Sequence, residues 1–212
     1  TLVTKLITDD SGQKITTVEV EVNGNQEQYT ADTFIVSCGS INSAALLLRS
    51  KNEHHPDGLG NSSGMLGRNL MLHNHSSVVA IAEKPNPVKF QKTLGFNDFY
   101  FGSPDHDYPL GQIQMTGKSK WNRLALFAPG SIPQPTLEYM ADHAVDWWLT
   151  SEDLPDPNNR VTVTEEGKIK VDFTRNNLKA HEDFVDMWQS YLRKVDFFLF
   201  MVNTVPLSAV WH

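Results

Sequence analysis

The stretch Ala31–Lys51, ADTFIVSCGSINSAALLLRSK, decides the predicted fold. Thr33–Cys38 is a short apolar run with β-branched side chains, which is typical of a strand buried on both faces of a sheet. Gly39 permits a sharp backbone turn, and Ser40 or Asn42 is a candidate cap for the leucine-rich helix that follows. A buried strand that runs through glycine into a helix is how α/β proteins present backbone N–H groups to a cofactor, although many such units only pack.

The residues before this stretch predict a β-meander. Leu2–Ile7 is a strand that ends at an Asp-Asp-Ser-Gly turn signal. Ile15–Asn23 alternates apolar and polar side chains, which is typical of a half-exposed strand. Asn23-Gly24 predicts a tight hairpin turn, and Gln26–Thr30 is the expected return strand.

The residues after the helix predict a second region of antiparallel strands and packed helices. The predicted elements are a strand at Ser76–Ala82, a strand at Tyr108–Thr116, a helix at Leu137–Thr150, a hairpin of Arg160–Thr164 with Lys168–Phe173, and a helix from Leu178 to about Phe200. Phe90–Phe101 is rich in aromatic residues, which either contribute to the core or line a pocket.

The composition of the 212 residues excludes several classes of protein. The formal net charge of −7 argues against a nucleic-acid partner, and the one compact basic cluster, Lys118, Lys120 and Arg123, is interpreted as a solvated loop. The single cysteine, Cys38, excludes an internal disulfide and is predicted to be a buried, inert thiol. No apolar run has membrane-spanning length, and no signal peptide is visible.

Two histidines at alternate positions raise the question of a metal site. His73 and His75 would point to the same side of a strand and could share a metal ion. No third ligand with a recognisable spacing follows. We therefore expect no metal, and interpret both histidines as surface or hydrogen-bonded residues.

Five stretches together carry a resemblance to a known family. They are Val3–Leu6, Ser37–Ser50, Gly67–His73, Asp156–Val161 and Val210–His212. Their order and spacing resemble those of the glucose–methanol–choline (GMC) oxidoreductases, which are FAD-dependent alcohol and sugar oxidases and dehydrogenases. The bacterial members that act on sugars and polyols are the most similar. Leu72 stands where the family often has an aspartate before the histidine.

The resemblance implies a mixed α+β and α/β fold with two domains. Residues 1–75 would be part of a Rossmann-like FAD-binding domain, made of the β-meander, the last parallel strand and its helix. Residues 76–204 would be the substrate-binding domain, with an antiparallel sheet and packed helices. Residues 205–212 would return toward the FAD-binding domain.

The resemblance also implies a cofactor, a reaction and the residues that serve them. The implied cofactor is FAD, and its predicted contacts are Val3, Cys38, Gly39, Ser40 and Ser43. His212 is the predicted catalytic base, because an imidazole with a pKa of about 6.5 suits proton removal near neutral pH. The base would take the hydroxyl proton of an alcohol or sugar while a hydride passes to the flavin N5. Oxygen, a quinone and a cytochrome all remain possible electron acceptors.

The ends of the sequence predict an internal fragment of a longer protein. The chain starts at Thr1 inside an expected strand and stops at His212 after an apolar approach, and it lacks the N-terminal GxGxxG of the family. The compartment, cytoplasmic or periplasmic, is therefore left open. Two alternatives to the oxidoreductase remain: a non-catalytic scaffold that cannot bind FAD alone, and a non-redox family member of the hydroxynitrile lyase type.

Overall fold

The structure is a computed structural model that describes residues 1–90, 92–126, 128–195 and 197–204, with the backbone path alone for 199–204. The elements in chain order are β1 (Leu2–Thr8), β2 (Ile15–Val22), β3 (Asn25–Thr30), α1 (Gly39–Arg49), β4 (His73–Ile81), β5 (Gly95–Phe96), β6 (Gln112–Met115), α2 (Trp121–Ala125), α3 (Gln134–His143), β7 (Ala144–Glu152), β8 (Arg160–Val163), β9 (Ile169–Asp172), α4 (Leu178–Lys194) and β10 (Phe198–Thr204).

The described chain divides into two compact units. Unit 1 contains residues 1–71 and 155–174, and unit 2 contains residues 72–154 and 175–204. Both units mix helices with antiparallel strands, as the predicted fold class requires. No helix within the described ranges combines the length and apolar character needed to cross a membrane.

Unit 1 opens with the predicted β-meander. Strands β1, β2 and β3 form a three-stranded antiparallel sheet in that order. Asn23 and Gly24, with φ of 52° and 82°, make the tight turn between β2 and β3. A two-residue turn with both residues in the left-handed region matches the twist of its strands, so the Asn-Gly prediction is confirmed.

Helix α1 begins earlier than the sequence predicted. Gly39 has a φ of +80°, and the helix starts at this residue, so the predicted sharp turn is confirmed. Ser40 and Asn42 lie inside the first turns, and the N-cap position is Cys38, with no side-chain capping bond. The prediction that Ser40 or Asn42 caps the helix is therefore wrong, because the left-handed glycine starts the helix before either residue is reached.

The predicted buried strand at Thr33–Cys38 is wrong. This segment has no regular secondary structure, Ile35 is 86% exposed, and Cys38 is exposed rather than buried. A strand buried on both faces needs hydrogen-bonded neighbours, and no strand of the described chain pairs with this segment. Val36 alone packs against the apolar cluster of Leu6 and Leu46. Strand propensity was present, but the partners that would realise it are absent from the described residues.

The β8–β9 hairpin confirms its prediction but lies in unit 1, whereas the sequence division placed it in the domain 76–204. The Val161 N–H donates to the Gly67 carbonyl at 2.7 Å, and the Arg49 side chain donates to the Gly167 carbonyl. A Cβ atom on Gly67 would lie 2.3 Å from the Val161 carbonyl oxygen, and Gly67 has a φ of +77°. Only glycine permits this close approach of the two backbones.

Unit 2 is built on a five-stranded antiparallel sheet in the order β10-β4-β7-β6-β5. Helix α4 covers one face with Phe184 and Trp188, which pack on Val78 and Leu149 of the sheet. Helices α2 and α3 cover part of the other face through a second apolar cluster: Val79, Ile81, Leu124, Leu137, Ala141 and Ala144. The two faces therefore differ, since the long helix α4 packs on one face and the two shorter helices cover only part of the other.

Two predicted helices in unit 2 are too long. The helix predicted at Leu137–Thr150 ends at His143, and residues from Ala144 onward form β7. Strand β7 pairs with both β4 and β6, and its valine and tryptophans favour a pleated surface, so sheet pairing overrides the helical spacing. Helix α4 similarly ends at Lys194 and is followed by β10, which pairs with β4.

Candidate functional site

The predicted FAD contacts lie on unit 1. Val3 is on β1 and is 36% exposed, while Cys38, Gly39 and Ser40 are exposed at the start of α1. The Cys38 N–H donates to the Ser43 hydroxyl at 3.0 Å, which makes a local link at the helix start. No structural contact among these residues assigns a ligand to them.

The start of α1 is nevertheless suited to binding an oxygen-rich group, and FAD carries such groups. The helix has no side-chain cap and no acidic residue in its first turn, so its free N–H groups and positive dipole end meet no competing carboxylate. A Cβ atom added to Gly39 would meet no atom within 4 Å, so the space beside the turn is open. The residues present therefore fit the implied cofactor. His212, the predicted base, lies outside the described residues.

A second candidate region is the exposed part of the unit 2 sheet beyond α2 and α3, here called the open face. Side chains alternate between the two faces of a strand, so the strand register identifies its members. His75 is opposite Thr150, Ser77 is opposite Trp148, and Gln114 is also opposite Trp148. The full set is His73, His75, Ser77, Gln112, Gln114, Trp148, Thr150 and Glu152, all of which are half-buried or exposed.

The centre of the open face is a contact of three side chains. His75 Nδ1 lies 3.2 Å from Thr150 Oγ1, and its ring lies 5.0 Å from the Trp148 ring. Within the described residues, His75 Nε2 has no hydrogen-bond partner. Burial, followed by electrostatic repulsion from His73 and Arg175, lowers the pKa of His75. The imidazole is therefore neutral at neutral pH, with Nδ1 held by Thr150 and Nε2 without a partner among the described residues.

Behind the open face lies a buried histidine that the sequence analysis did not select. His181 of α4 is 2% exposed, and its Nε2 and Nδ1 each lie 2.8 Å from a serine hydroxyl, of Ser76 and Ser151 respectively. Burial, with smaller effects from His75 and Arg175, lowers the pKa of His181 to about 4. In the sequence, His181 lies three residues before Phe184 and seven before Trp188, so it falls on the apolar face of the predicted helix. A histidine on that face was the signal that could have identified it.

A buried carboxylate stands at the same end of the sheet. Asp153 accepts the Leu72 N–H at 2.9 Å through Oδ2, and the Asn74 side-chain amide at 3.1 Å through Oδ1. Burial raises the pKa of Asp153, while these hydrogen bonds oppose that shift. This arrangement ties the start of β4 to the end of β7 and so supports the open face from its end.

Two cavities of unit 2 lie away from the centre of the open face. One, of about 560 Å³, is lined by Tyr100, Phe101 and Tyr108, whereas Phe96 and Phe99 pack into the core. The aromatic stretch Phe90–Phe101 therefore contributes both to the core and to the wall of this cavity. The other cavity, of about 850 Å³, is lined by Lys118 and Lys120 among others. Neither is lined by His75, Trp148 or Thr150.

The H-x-H pair is on the open face, as strand alternation requires. The His73 and His75 rings are 5.7 Å apart and meet edge to face. In the part of the chain that the structure describes, no group of three or more His, Cys, Asp or Glu residues could hold a metal ion. His75 instead contacts Thr150 and Trp148.

Comparisons with known proteins connect both units to one group of enzymes. Residues 1–75 match the family model described as GMC oxidoreductase. The chain is 27% identical over 170 residues to the fructose dehydrogenase large subunit of Gluconobacter japonicus, covering 75% of the chain and 31% of that protein. It is 30% identical over 181 residues to paromamine 6'-oxidase of Streptomyces fradiae, covering 77% of the chain and 31% of the relative.

A third relative is similar over a comparable part of the chain. The 2-methyl-1,2-propanediol dehydrogenase of Mycolicibacterium austroafricanum is 42% identical over 175 residues, covering 76% of the chain and 32% of the relative. The chain thus spans about a third of the length of the curated relatives that it matches.

Proposed function

The chain belongs to the GMC oxidoreductase family, and from this premise we propose that it is part of a flavin-dependent enzyme that oxidises the CH–OH group of a sugar, a polyol or another alcohol. The family binds FAD in general. The structural observation that carries the proposal is the open face of unit 2, where an aromatic ring lies beside aligned hydrogen-bonding side chains. The relatives are named for fructose, paromamine and 2-methyl-1,2-propanediol.

The open face is the proposed substrate contact surface. The half-exposed Trp148 ring supplies an apolar platform for the C–H face of a sugar or the carbon chain of a diol. His75 Nε2 and the Gln114 amide supply hydrogen bonds to substrate hydroxyls. Thr150 holds His75 by its other nitrogen and so determines where Nε2 points. The neutral state of His75, which follows from its lowered pKa, lets Nε2 pair with an uncharged hydroxyl.

The proposed FAD contacts are Val3, Cys38, Gly39, Ser40 and Ser43. The exposed and uncapped start of α1 supports this assignment, because its N–H groups can donate to cofactor oxygens. When bound, FAD would accept the hydride from the alcohol carbon. His212 is proposed as the base that removes the hydroxyl proton, on the family resemblance of Val210–His212.

The test is flavin reduction in the purified protein. We expect the protein, as isolated or after incubation with FAD, to retain a flavin absorption band through gel filtration. Anaerobic addition of candidate sugars, polyols and diols should bleach this band with at least one of them. Reoxidation by oxygen, by a quinone and by a cytochrome, tested separately, would then identify the acceptor class.

Two results would contradict the proposal in different ways. A protein that stays colourless after incubation with FAD would favour a scaffold that cannot bind the cofactor alone. A protein that holds FAD but is reduced by no alcohol would favour a non-redox member of the family. A His212→Asn variant that binds FAD normally and reduces it as fast as the parent would remove His212 from the proposal.

A further inference from the structure

Among the described residues, the buried contact between α4 and the sheet of unit 2 contains a polar tether, made by His181 with Ser76 and Ser151, beside apolar contacts. The neighbouring contacts are made by Phe184, Val185 and Trp188. His181 instead places both ring nitrogens 2.8 Å from serine hydroxyls. A neutral imidazole has one donor and one acceptor nitrogen, so one serine accepts a hydrogen bond from the ring and the other donates one. Both polar positions of the ring are therefore satisfied.

The two serines are on adjacent strands and next to the centre of the open face. Ser76 follows His75 on β4, and Ser151 follows Thr150 on β7. His75 and Thr150 are directly opposite each other in the register and touch on the open face. Since successive side chains point to opposite faces, His181 is hydrogen-bonded to both strands on the opposite side of the sheet from that pair.

A directional tether does something that apolar packing cannot do. Burying an imidazole and two hydroxyls costs desolvation free energy, which hydrogen bonds offset only when their geometry is good. An apolar side chain at position 181 would fill the same space and leave α4 free to shift by small amounts against β4 and β7, which are already paired with each other through their backbones. The polar group therefore selects one placement of α4 on these two strands.

From this placement we propose that His181 is a positioning residue for the open face, which holds His75 and Thr150 in the arrangement that contacts the substrate hydroxyl. This inference rests on the proposed function only for the identity of the ligand. The placement of His75 by His181 can be measured with or without a substrate. His181 itself is buried and touches no ligand.

The test compares three variants of the flavin-loaded protein. His181→Phe removes both hydrogen bonds and keeps an aromatic ring, whereas His181→Gln keeps one donor and one acceptor. Phe184→Leu is the matched control, because Phe184 packs in the same interface and takes no part in the tether. Thermal unfolding gives the stability lost by each variant, and the imidazole ¹⁵N resonances of His75, assigned with His75→Gln, report its environment directly.

We expect His181→Phe to move the His75 resonances and to raise KM for the alcohol about tenfold or more, with a smaller change in kcat. Phe184→Leu should lose stability while leaving KM within about twofold of the parent, and His181→Gln should restore KM to within about threefold. Unmoved His75 resonances in His181→Phe, or a KM that rises equally in Phe184→Leu, would overturn the inference. If the parent oxidises no alcohol, the proposed function fails, while the His75 resonances still decide the role of His181.

Discussion

The residues proposed to contact FAD and the residues of the open face are held in place by different means. At the start of α1, Cys38, Gly39 and Ser40 are exposed, and a local hydrogen bond from the Cys38 N–H to the Ser43 hydroxyl links Cys38 to the helix. Behind the open face, His181 and Asp153 are buried. His181 is hydrogen-bonded to β4 and β7, and Asp153 is hydrogen-bonded to β4 and to Leu72 just before it. The open face therefore has internal support, whereas the start of α1 depends on backbone conformation.

This difference means that the two regions should respond to different perturbations. Backbone changes should matter in unit 1, where Gly39 and Gly67 are left-handed and Gly67 closely approaches Val161. Side-chain and pH changes should matter most in unit 2, where buried polar groups support the open face. The following predictions test this contrast, in order of decreasing expected effect.

The largest effect is expected for Gly67→Ala in unit 1. Its Cβ atom would lie 2.3 Å from the Val161 carbonyl oxygen, and the residue would keep a φ of +77°. The backbone at position 67 would be strained, and the β8–β9 hairpin would be pushed away from it. Together these effects should lower the free energy of unfolding by about 3 kcal/mol or more. Urea denaturation measures the loss. Gly60→Ala, with a φ of +73° and open space around it, is the matched control and should lose only about 1 kcal/mol.

Acidification should destabilise the protein through His181. Its pKa of about 4 when folded lies below the value of about 6.5 expected when unfolded, so the unfolded chain binds the proton more readily between these two values. The contribution of neutral His181 to the free energy of unfolding should thus be fully present above pH 6.5. It should fall by up to about 3 kcal/mol as the pH drops toward 4, since one pKa unit corresponds to about 1.4 kcal/mol. Urea denaturation across this range measures the slope.

His181→Gln is the control for the acid response, because its amide does not titrate. The variant should show a shallower loss of stability between pH 6.5 and 4 than the parent. The lowered pKa of His75 acts in the same direction in both proteins, and the raised pKa values of Asp146 and Asp153 act in the opposite direction at the acidic end. Equal slopes in parent and variant would show that His181 does not contribute.

Trp148→Ala should weaken substrate binding with little loss of stability. Trp148 is half-exposed on the open face, so its removal deletes an apolar platform without opening a core cavity. We expect KM for the alcohol to rise about 10- to 30-fold, which corresponds to about 1.4 to 2 kcal/mol. Steady-state kinetics measure this change. Trp121→Ala, which removes an exposed tryptophan away from the open face, should leave KM unchanged, and a similar rise in both variants would contradict the assignment.

The smallest effect is expected for Gly39→Val at the proposed FAD contact. A β-branched residue at a φ of +80° is strained and should shift the start of α1, which would weaken FAD binding about tenfold. Titration of the apoprotein with FAD, followed by flavin fluorescence, measures the affinity. Gly64→Val carries similar strain at a φ of +67° away from the proposed contacts. Equal FAD affinity in both variants would remove Gly39 from the site.

Much of the fold could be predicted from local signals. Asn23-Gly24 specified a hairpin because few other residue pairs adopt two consecutive left-handed conformations at low cost. The alternation in Arg160–Thr164 and Lys168–Phe173 specified a second hairpin, although not the unit to which it belongs. The helix that follows Gly39 was also correct, except for its first residues.

The errors share a physical cause, which is that pairing partners are not visible in a local pattern. The helical spacing of Leu137–Thr150 was real, yet β7 lies between β4 and β6, and it pairs with β4 along its whole length and with β6 over residues 147–150. Conversely, Thr33–Cys38 has strand propensity but no strand partner in the described residues, and it remains irregular. Propensity is worth tenths of a kcal/mol per residue, so pairing and burial decide.

The stretch Ala31–Lys51, which contains four of the proposed FAD contacts, shows how much the sequence alone can predict. By itself it determined the sharp turn at Gly39 and the helix after it, because these depend on neighbouring residues; the family resemblance needed four further stretches and their order. Only the tertiary structure decided that the preceding segment is exposed, that His75, Thr150 and Trp148 meet on one face, and that His181 lies beneath them. These contacts join residues 73 to 105 positions apart along the chain, and only the register of β4 with β7 and the packing of α4 bring them together.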